Sequence, residues 1–437
     1  MRPADEWDQT VLSQRRQLLI LGFLMLTGIL NYLDRVSLSI ANPVIRKELS
    51  LSGTEMGSLL AVFSLAYGLG QIPAGTLVKR FGFRRVLGTA LLAWSAAQMV
   101  TSLVRSNGAF QALRVMLGLG ESPFFPASLD AVQSSFAPER RGRAMSLVNA
   151  STILGQVIAP PVLTVLMLWA GWRGMFAIIG IAGVAFAAVW LALGHGRNTH
   201  SSEADSPQVR PASRSFGALF ADPDLLALLR TKTMWGMMLG FGGINYTAWL
   251  YLTWLPGYLA SVYHLKLGAT GMISGIPFAA GAVGMLVSGI LTDLKVRDLQ
   301  QARSFRRQLI IIGMILSAGC TALVVQATSL TMAVAAISMA VFFVHFAGTA
   351  AWNLIHVSTA ARLSAQVGAL QNMGSYAIAS AAPIITGWLL DRTHSFRISL
   401  MICACVTAAG ALAYLTMTLK PILLGRGDED AIALENG

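Results

Sequence analysis

The chain has 437 residues, of which 55% are hydrophobic and only 12% are charged, and its mean hydropathy is +0.62. A soluble domain carries about a quarter of charged residues, so this composition excludes an ordinary soluble protein and predicts a polytopic membrane protein. The net charge of +12 is of the size found in nucleic-acid-binding proteins. Its basic residues, however, form short clusters between apolar runs, as they do in cytoplasmic loops, and we expect no nucleic-acid partner.

Apolar runs of membrane-spanning length recur along the whole chain, since about 20 apolar residues cross a bilayer as a helix. Such runs lie at residues 18–40, 56–78, 86–104, 109–134, 144–168, 174–194, 234–260, 271–293, 308–327, 331–356, 366–390 and 397–419. They predict an all-α membrane protein with twelve transmembrane helices. With the N-terminus inside, most of the 32 Lys and Arg residues fall in cytoplasmic connections, so both termini are expected in the cytoplasm.

The longest connection divides these runs into two sets of six. It is rich in Ser, Pro and charge, which is typical of a linker. We therefore expect a cytoplasmic tail at 1–17, a first half at 18–194, a linker at 195–232, a second half at 233–420 and a cytoplasmic tail at 421–437. The three cysteines lie in apolar runs without a CxxC pair, so we expect neither a disulfide framework nor a metal site, and no cofactor.

Two short patterns recur at the same offset in both halves. Asn31-Tyr32 returns as Asn245-Tyr246, and Gly75-Thr76-Leu77-Val78-Lys79 corresponds to Gly289-Ile290-Leu291-Thr292-Asp293. Parallel six-helix repeats around a site at the bilayer midplane are a known plan of transporters. The repeat therefore favours a transporter built from two pseudo-symmetric halves.

Five charged residues interrupt the apolar runs of the first half: Asp34, Arg35, Arg114, Glu121 and Asp130. A charged side chain near the bilayer centre costs at least about 2.5–3.5 kcal/mol, so each one needs a function or a partner. Asp34 can bind a proton in such an environment, and Arg35 can grip a carboxylate through parallel hydrogen bonds, either on a substrate or on another helix. Arg114 and Glu121 share a helix face and can act as a proton-binding pair or as a structural lock.

Several motifs carry a resemblance to a known family. They are Asn31-Tyr32-Leu33-Asp34-Arg35, Arg114 to Glu121-Ser122-Pro123, the basic segment Arg80 to Arg85, Pro138 to Ala144, and Thr253-Trp254-Leu255-Pro256. With the twelve runs and the central loop, the chain resembles the major facilitator superfamily and, within it, the anion:cation symporter family. The resemblance implies the major facilitator fold and import of organic anions, including sugar acids such as hexonates and hexuronates, together with protons.

The resemblance and the residue types together suggest roles for individual side chains. Asp34 and Glu121 are expected to bind the coupled protons. Arg114, Asp130 and Asp293 are expected to tune the pKa of these carboxylates or to gate the pathway. Substrate contacts are expected from Arg35, Tyr32, Tyr67, Gln156, Tyr246, Thr349, Trp352 and Asn372, with Trp249 and Tyr251 as further candidates. His345 titrates in a proton path or, as we favour, packs as an ordinary core residue.

The sequence therefore predicts a proton-coupled importer of an organic anion that works as a monomer by alternating access. It would lie in the inner membrane of a bacterium and would not be an enzyme, because the apolar runs contain no nucleophile–base set. Three alternatives stay open: an exporter driven by proton antiport, an importer of an aromatic acid or dicarboxylate, and a ligand sensor on the same fold.

Overall fold

The structure is a computed structural model that describes residues 14–193, 223–292 and 299–425. The first part of the chain forms helices α1 (Gln14–Glu48), α2 (Gly53–Phe81), α3 (Phe83–Thr101), α4 (Asn107–Glu121), α5 (Phe124–Ser135) and α6 (Pro138–Leu193). The second part forms α7 (Pro223–Leu229), α8 (Lys232–Val262), α9 (Leu267–Thr292), α10 (Leu299–Val324), α11 (Leu330–His356), α12 (Ala361–Ala379), α13 (Ala381–Thr393) and α14 (Arg397–Met417).

No β-strand is found in the described residues, which confirms the all-α prediction. The expected tails fall mainly on residues 1–13 and 426–437, and the expected linker mainly on 194–222, all outside the described residues. The described end of the linker contains the short helix α7.

Hydroxyl side chains fix where several helices begin. The side chains of Ser52, Ser106, Thr231 and Ser329 each accept a hydrogen bond from the backbone N–H three residues later. These bonds satisfy N–H groups that the first turn of a helix leaves without a partner. At Ser52 the Glu55 side chain also bonds back to the cap, which completes a capping box and fixes the start of α2.

One predicted run, 109–134, is divided between α4 and α5 by Ser122 and Pro123. Proline has no N–H, so it cannot donate to the Leu119 carbonyl as a helical residue would. The Ser122 hydroxyl donates to that carbonyl instead, at 2.8 Å. The break makes Glu121 the last residue of α4.

Helix α6 covers two predicted runs. At 1.5 Å per residue its 56 residues would extend about 84 Å, far more than the roughly 30 Å of a bilayer core. Gly171 interrupts it with φ of 69°, a left-handed conformation that glycine adopts at little cost. Pro160 and Pro161 lie inside α6 without ending it.

The described helices are consistent with a multi-pass membrane protein. Seven helical segments of the described residues are long and apolar enough to cross a membrane, or eight if α2, bent by 51° near Gln71, counts as one span. With α6 divided at Gly171, and α4 joined to α5 and α12 to α13, the helices are consistent with the twelve predicted runs.

Contacts between the two parts of the chain bring α1 against α8, α2 against α12 and α13, and α6 against α9. At one of them the Ser39 hydroxyl donates to the Thr253 carbonyl at 2.8 Å. These residues are 214 positions apart, the same offset that relates Asn31-Tyr32 to Asn245-Tyr246. Equivalent positions of the sequence repeat therefore contact each other, as residues near a two-fold pseudo-symmetry axis do.

Candidate functional site

A cluster of buried charges lies between α1 and α4. Asp34, Arg35, Arg114 and Glu121 are 2%, 6%, 2% and 0% exposed. Charges are almost never buried so fully unless they are paired or functional. The structure thus brings together four of the five charged residues that the sequence singled out in the first half, all except Asp130.

The ion pair in this cluster joins α1 to α4. Arg35 donates from Nε to Glu121 Oε2 at 2.8 Å. The alternative in which Arg35 pairs with a carboxylate on another helix is therefore the arrangement present in this structure. Arg114, which shares α4 with Glu121, interacts electrostatically with both Glu121 and Asp34 without forming a close ion pair in the described structure.

Aromatic rings surround the Arg35 guanidinium. Its Cζ lies 4.4 Å from the centre of the Tyr67 ring and 5.3 Å from the rings of Tyr32 and Phe63. Phe63 also contacts the Arg114 guanidinium, at 5.0 Å. A cation over an aromatic face is stabilised by the ring quadrupole, by about 2 kcal/mol when water is excluded. The rings therefore hold two permanent cations in an apolar region.

Several polar atoms of this cluster have no hydrogen-bond partner among the described residues. They are Asn31 Nδ2, Asp34 Oδ1, Arg35 Nη2, Arg114 Nε and Nη1, and Glu121 Oε1. Most buried polar atoms in proteins are paired, so a group of unpaired donors and acceptors indicates a ligand or proton site. Both guanidiniums keep donors that a carboxylate can accept from.

The second half contributes to this site through α8 and α12. The Tyr376 ring lies 5.2 Å from that of Tyr67 and 6.0 Å from that of Trp249, and Trp249 lies 5.9 Å from Phe63. Tyr376 also interacts with the Arg35 guanidinium. The site is thus built from both halves, and substrate sites at the interface between repeats are common in transporters.

One hydrogen bond in this region connects the halves through side chains. Asn372 Nδ2 donates to Gln71 Oε1 at 2.7 Å. Asn372 was among the predicted substrate contacts, whereas Gln71, Phe63 and Tyr376 were missed. Their spacing offered a signal: Phe63, Tyr67 and Gln71 follow one another at four-residue steps along α2, as Asn372 and Tyr376 do on α12, so each set shares a helix face.

The other predicted contacts have neighbours in other parts of the fold. Gln156 is buried on α6, and Tyr246 is buried on α8 where it interacts with Cys403. Thr349 donates to the His345 carbonyl at 3.2 Å, and Trp352, 43% exposed, lies edge-on to Phe241. Their roles in substrate binding stay predictions.

The remaining candidates lie outside the central cluster. His345 Nδ1 lies 2.9 Å from the Val341 carbonyl, and Tyr251 donates to Thr321 at 3.0 Å. Asp130 is half-buried on α5. Asp293 lies outside the described residues. No group of His, Cys, Asp and Glu side chains that could hold a metal ion occurs in the described part of the chain.

Away from this cluster, a carboxylate from one half caps a helix of the other. Asp391 on α13 accepts hydrogen bonds from the N–H of Gly53 at 2.5 Å and from the N–H and the hydroxyl of Thr54, each at 2.7 Å. Arg46 lies 3.7 Å from the same carboxylate. Negative charge at a helix N-terminus is favourable, so this contact stabilises the packing of α2 against α13.

The chain is similar to named proteins over nearly its full length. It is 46% identical over 415 residues to a probable L-galactonate transporter of Escherichia coli K12, covering 94% of this chain and 91% of that protein. It is 28% identical to a probable galactarate/D-glucarate transporter, GarP, of the same organism, over 94% and 96% of the two chains.

Among solved structures, the crystal structure of a bacterial homolog to the human lysosomal transporter Spinster has a TM-score of 0.77. It is 18% identical and covers 95% of this chain and 100% of that one. The inward-open structure of the xylose transporter XylE from E. coli has a TM-score of 0.71 at 15% identity, covering 96% and 99%. The fold is therefore the one predicted. The family model described as Major Facilitator Superfamily matches residues 24–383, and the chain belongs to this superfamily of membrane transporters.

Proposed function

We propose that this protein imports a sugar acid together with protons by alternating access, as a monomer in the inner membrane of a bacterium with both termini in the cytoplasm. The observation that carries the proposal is the buried ion pair of Arg35 and Glu121, with Asp34 and Arg114 beside it. This set combines two permanent cations for an anionic substrate with two carboxylates that can bind protons.

The names of the relatives suggest the class of anion. The relative with 46% identity is named for L-galactonate, a six-carbon acid with one carboxylate and several hydroxyls. Arg35 and Arg114 match the carboxylate, because guanidinium groups bind carboxylates through parallel hydrogen bonds. The amides of Gln71 and Asn372 and the hydroxyls of Tyr67 and Tyr376 match the hydroxylated tail, and the two amides can exchange their mutual hydrogen bond for bonds to the substrate.

The ion pair supplies a mechanism for coupling. While Glu121 is ionised, it occupies Arg35 and competes with an incoming carboxylate. A proton on Glu121 removes that competition, so the substrate carboxylate takes its place and the Arg35 charge stays balanced. Breaking a buried pair without a replacement would cost about 3–5 kcal/mol, which disfavours binding of either the proton or the anion alone.

Asp34 adds a second proton site near the first. It interacts electrostatically with Glu121 and with Arg114, so protonation of one carboxylate changes the charge that the other experiences. With one carboxylate protonated and the substrate anion on Arg35, the cluster and its substrate carry no net charge, whereas the proton or the anion alone would leave one charge unbalanced. The two halves can then rearrange around it at lower cost in the low-dielectric interior.

Counterflow in proteoliposomes tests the proposal. Vesicles preloaded with unlabelled L-galactonate should accumulate the labelled acid. External D-glucuronate or D-glucarate should reduce this accumulation if it binds the same site. Galactose, which lacks the carboxylate, should not compete. Exchange would also exclude a sensor that only binds. An inward proton gradient should drive net accumulation, whereas a proton-antiport exporter would deplete the vesicles of substrate under the same gradient.

A further inference from the structure

A basic pocket lies far from the central cluster, between the beginning of α10 and the chain that follows α14. Its volume is about 200 Å³, and it is lined by Gln300, Arg303, Ser304, Arg307 and Leu419. The lining combines two guanidinium groups with one amide, one hydroxyl and one apolar side chain. Nothing in the proposed transport mechanism uses it.

The cations of this pocket lack negative partners in the part of the chain that the structure describes. Arg303 and Arg307 belong to none of the ion pairs there, and the two repel each other. Arg303 donates to the Leu419 carbonyl at 2.8 Å, while the buried Nε of Arg307 has no hydrogen-bond partner among the described residues. A buried donor without a partner is costly, so this arrangement favours binding of an anion.

The position of the pocket indicates whether that anion comes from the aqueous phase or from the membrane. Helix α10 packs mainly against α11 and α14, away from the helices that build the central site. Just beyond the pocket, α10 and α14 expose large apolar side chains: Ile312, Ile315, Leu412 and Leu415 are each about half exposed. Because such surfaces face the acyl chains in a membrane protein, the pocket lies where the lipid-facing surface meets the polar end of the helices.

We infer that this pocket binds the headgroup of an anionic phospholipid. The phosphodiester oxygens accept from Arg303 and from the free Nε of Arg307, and Gln300 and Ser304 can bond the hydroxyls of a glycerol headgroup. The acyl chains lie along the exposed apolar side chains of α10 and α14, starting at Leu419. Basic pockets between helices at the membrane surface bind anionic lipids in this way. A soluble phosphate would satisfy the arginines but would leave this apolar rim uncovered.

The test measures lipid binding and does not depend on transport. Delipidated protein in a neutral detergent is titrated with phosphatidylglycerol, phosphatidylcholine or inorganic phosphate, and the unfolding temperature is followed by intrinsic fluorescence. Phosphatidylglycerol should raise it with saturation, and the other two should not. Equal shifts with phosphatidylcholine would overturn the inference. Equal shifts with inorganic phosphate would mark a site for soluble anions and would also overturn it.

Variants test whether the lipid-dependent rise in unfolding temperature depends on this pocket. Replacement of Arg303 and Arg307 by Gln should require at least about tenfold more phosphatidylglycerol for the same shift, because each cation near an anionic membrane contributes about fivefold in affinity. The matched control replaces two exposed arginines, Arg105 and Arg397, by Gln and should titrate like the wild type. A pocket variant that titrates like the wild type, or a control that loses as much affinity, contradicts the inference.

A second variant covers the case in which the double replacement fails to fold. Ser304→Glu keeps both arginines and introduces a carboxylate that competes with the phosphate. It should also weaken phosphatidylglycerol binding by about tenfold, with no change for phosphatidylcholine. Unchanged affinity in this variant contradicts the inference as well.

Discussion

Ser39 of α1 donates a hydrogen bond to the carbonyl of Thr253 of α8, and these residues are equivalent positions of the internal repeat. The contact marks a place where the two halves meet close to their pseudo-symmetry axis. The cap of Asp391 on Gly53 and Thr54 joins the halves at the beginning of α2. Together these contacts close one end of the interface between the halves, so their disruption should change which side of the protein is open.

Gly57 allows a close approach of backbone between α2 and α13 at this end. A Cβ at position 57 would lie 2.2 Å from the Pro383 carbonyl oxygen, which is backbone and cannot move aside. We expect Gly57→Leu to hold this end open and to abolish transport, while binding of L-galactonate from that side persists. Distances between spin labels on α2 and α13 would measure the opening. The control is Gly75→Leu, since no atom lies within 4 Å of a Cβ there; equal closure in both variants would contradict the prediction.

The negative charge of Asp391 should help to hold α2 against α13 at the same end of the protein. Asp391→Asn keeps one acceptor and loses the negative charge that the α2 N-terminus and Arg46 stabilise. Charge-assisted hydrogen bonds contribute about 1.5–3 kcal/mol in partly buried positions, and this contact is partly exposed, so we expect the lower end or less. The population with this end open should rise several-fold in the spin-label measurement. An unchanged distance distribution would show that the cap does not control the conformation.

Substitutions of Arg35 and Glu121 should have non-additive effects on the free energy of unfolding. Arg35→Met leaves the Glu121 carboxylate buried without its partner and should destabilise the protein by about 3–5 kcal/mol at a pH where Glu121 stays ionised. The double variant Arg35→Met/Glu121→Leu removes both charges and should recover most of that loss while transport stays abolished. Thermal unfolding of the wild type, the single variants Arg35→Met and Glu121→Leu, and the double variant gives the coupling free energy. Additive losses would show that the ion pair contributes nothing to stability.

Asn372 and Gln71 should contribute to substrate affinity as a pair. Asn372→Ala should weaken L-galactonate binding by about 3–10-fold, the value of one or two neutral hydrogen bonds, and Gln71→Ala should act similarly. If both amides bind the hydroxylated tail, the affinity for a short acid without hydroxyls should not change. Binding isotherms for L-galactonate and for acetate separate these cases. A matched loss for both acids would assign the pair to packing between the halves.

Tyr376 should act through its hydroxyl. Tyr376→Phe keeps the ring that packs on Tyr67 and Trp249 but removes the group that interacts with Arg35. We expect a several-fold loss of substrate affinity with little change in unfolding temperature. Tyr251→Phe, which removes a hydrogen bond to Thr321 outside the central site, is the matched control and should lose stability without losing affinity. The reverse pattern would contradict the placement of Tyr376 in the site.

The sequence predicts the helices and the buried charges well because both depend on local composition. A run of about 20 apolar residues forms a helix in a bilayer whatever surrounds it, and a charge such as Asp34 or Arg35 inside the run is conspicuous. The run 109–134 predicts one helix, but the chain breaks after Glu121, where Ser122-Pro123 is a local signal that the length and hydrophobicity of the run do not contain.

The pairing of the charges could not be predicted in the same way. Arg114 and Glu121 share a face of α4, which favours a contact within one helix, yet Arg35 on α1 is the partner that reaches the carboxylate. The rotation of α4 about its axis decides between these two partners, and packing against α2 and α3 sets that rotation. The cap of Asp391 on α2 depends likewise on how the two halves dock, which no local pattern encodes.

The proposed mechanism couples proton binding by the carboxylates beside Arg35 to binding of the substrate anion. Uptake of labelled L-galactonate into proteoliposomes, with and without an inward proton gradient, tests it most directly when the wild type is compared with Glu121→Gln, Asp34→Asn and both together. Asp224→Asn, which changes a surface carboxylate, is the control. We predict that the wild type and the control accumulate substrate under the gradient, while the double variant exchanges it in counterflow without responding to the gradient. Gradient-driven accumulation by the double variant at the wild-type level would contradict the account.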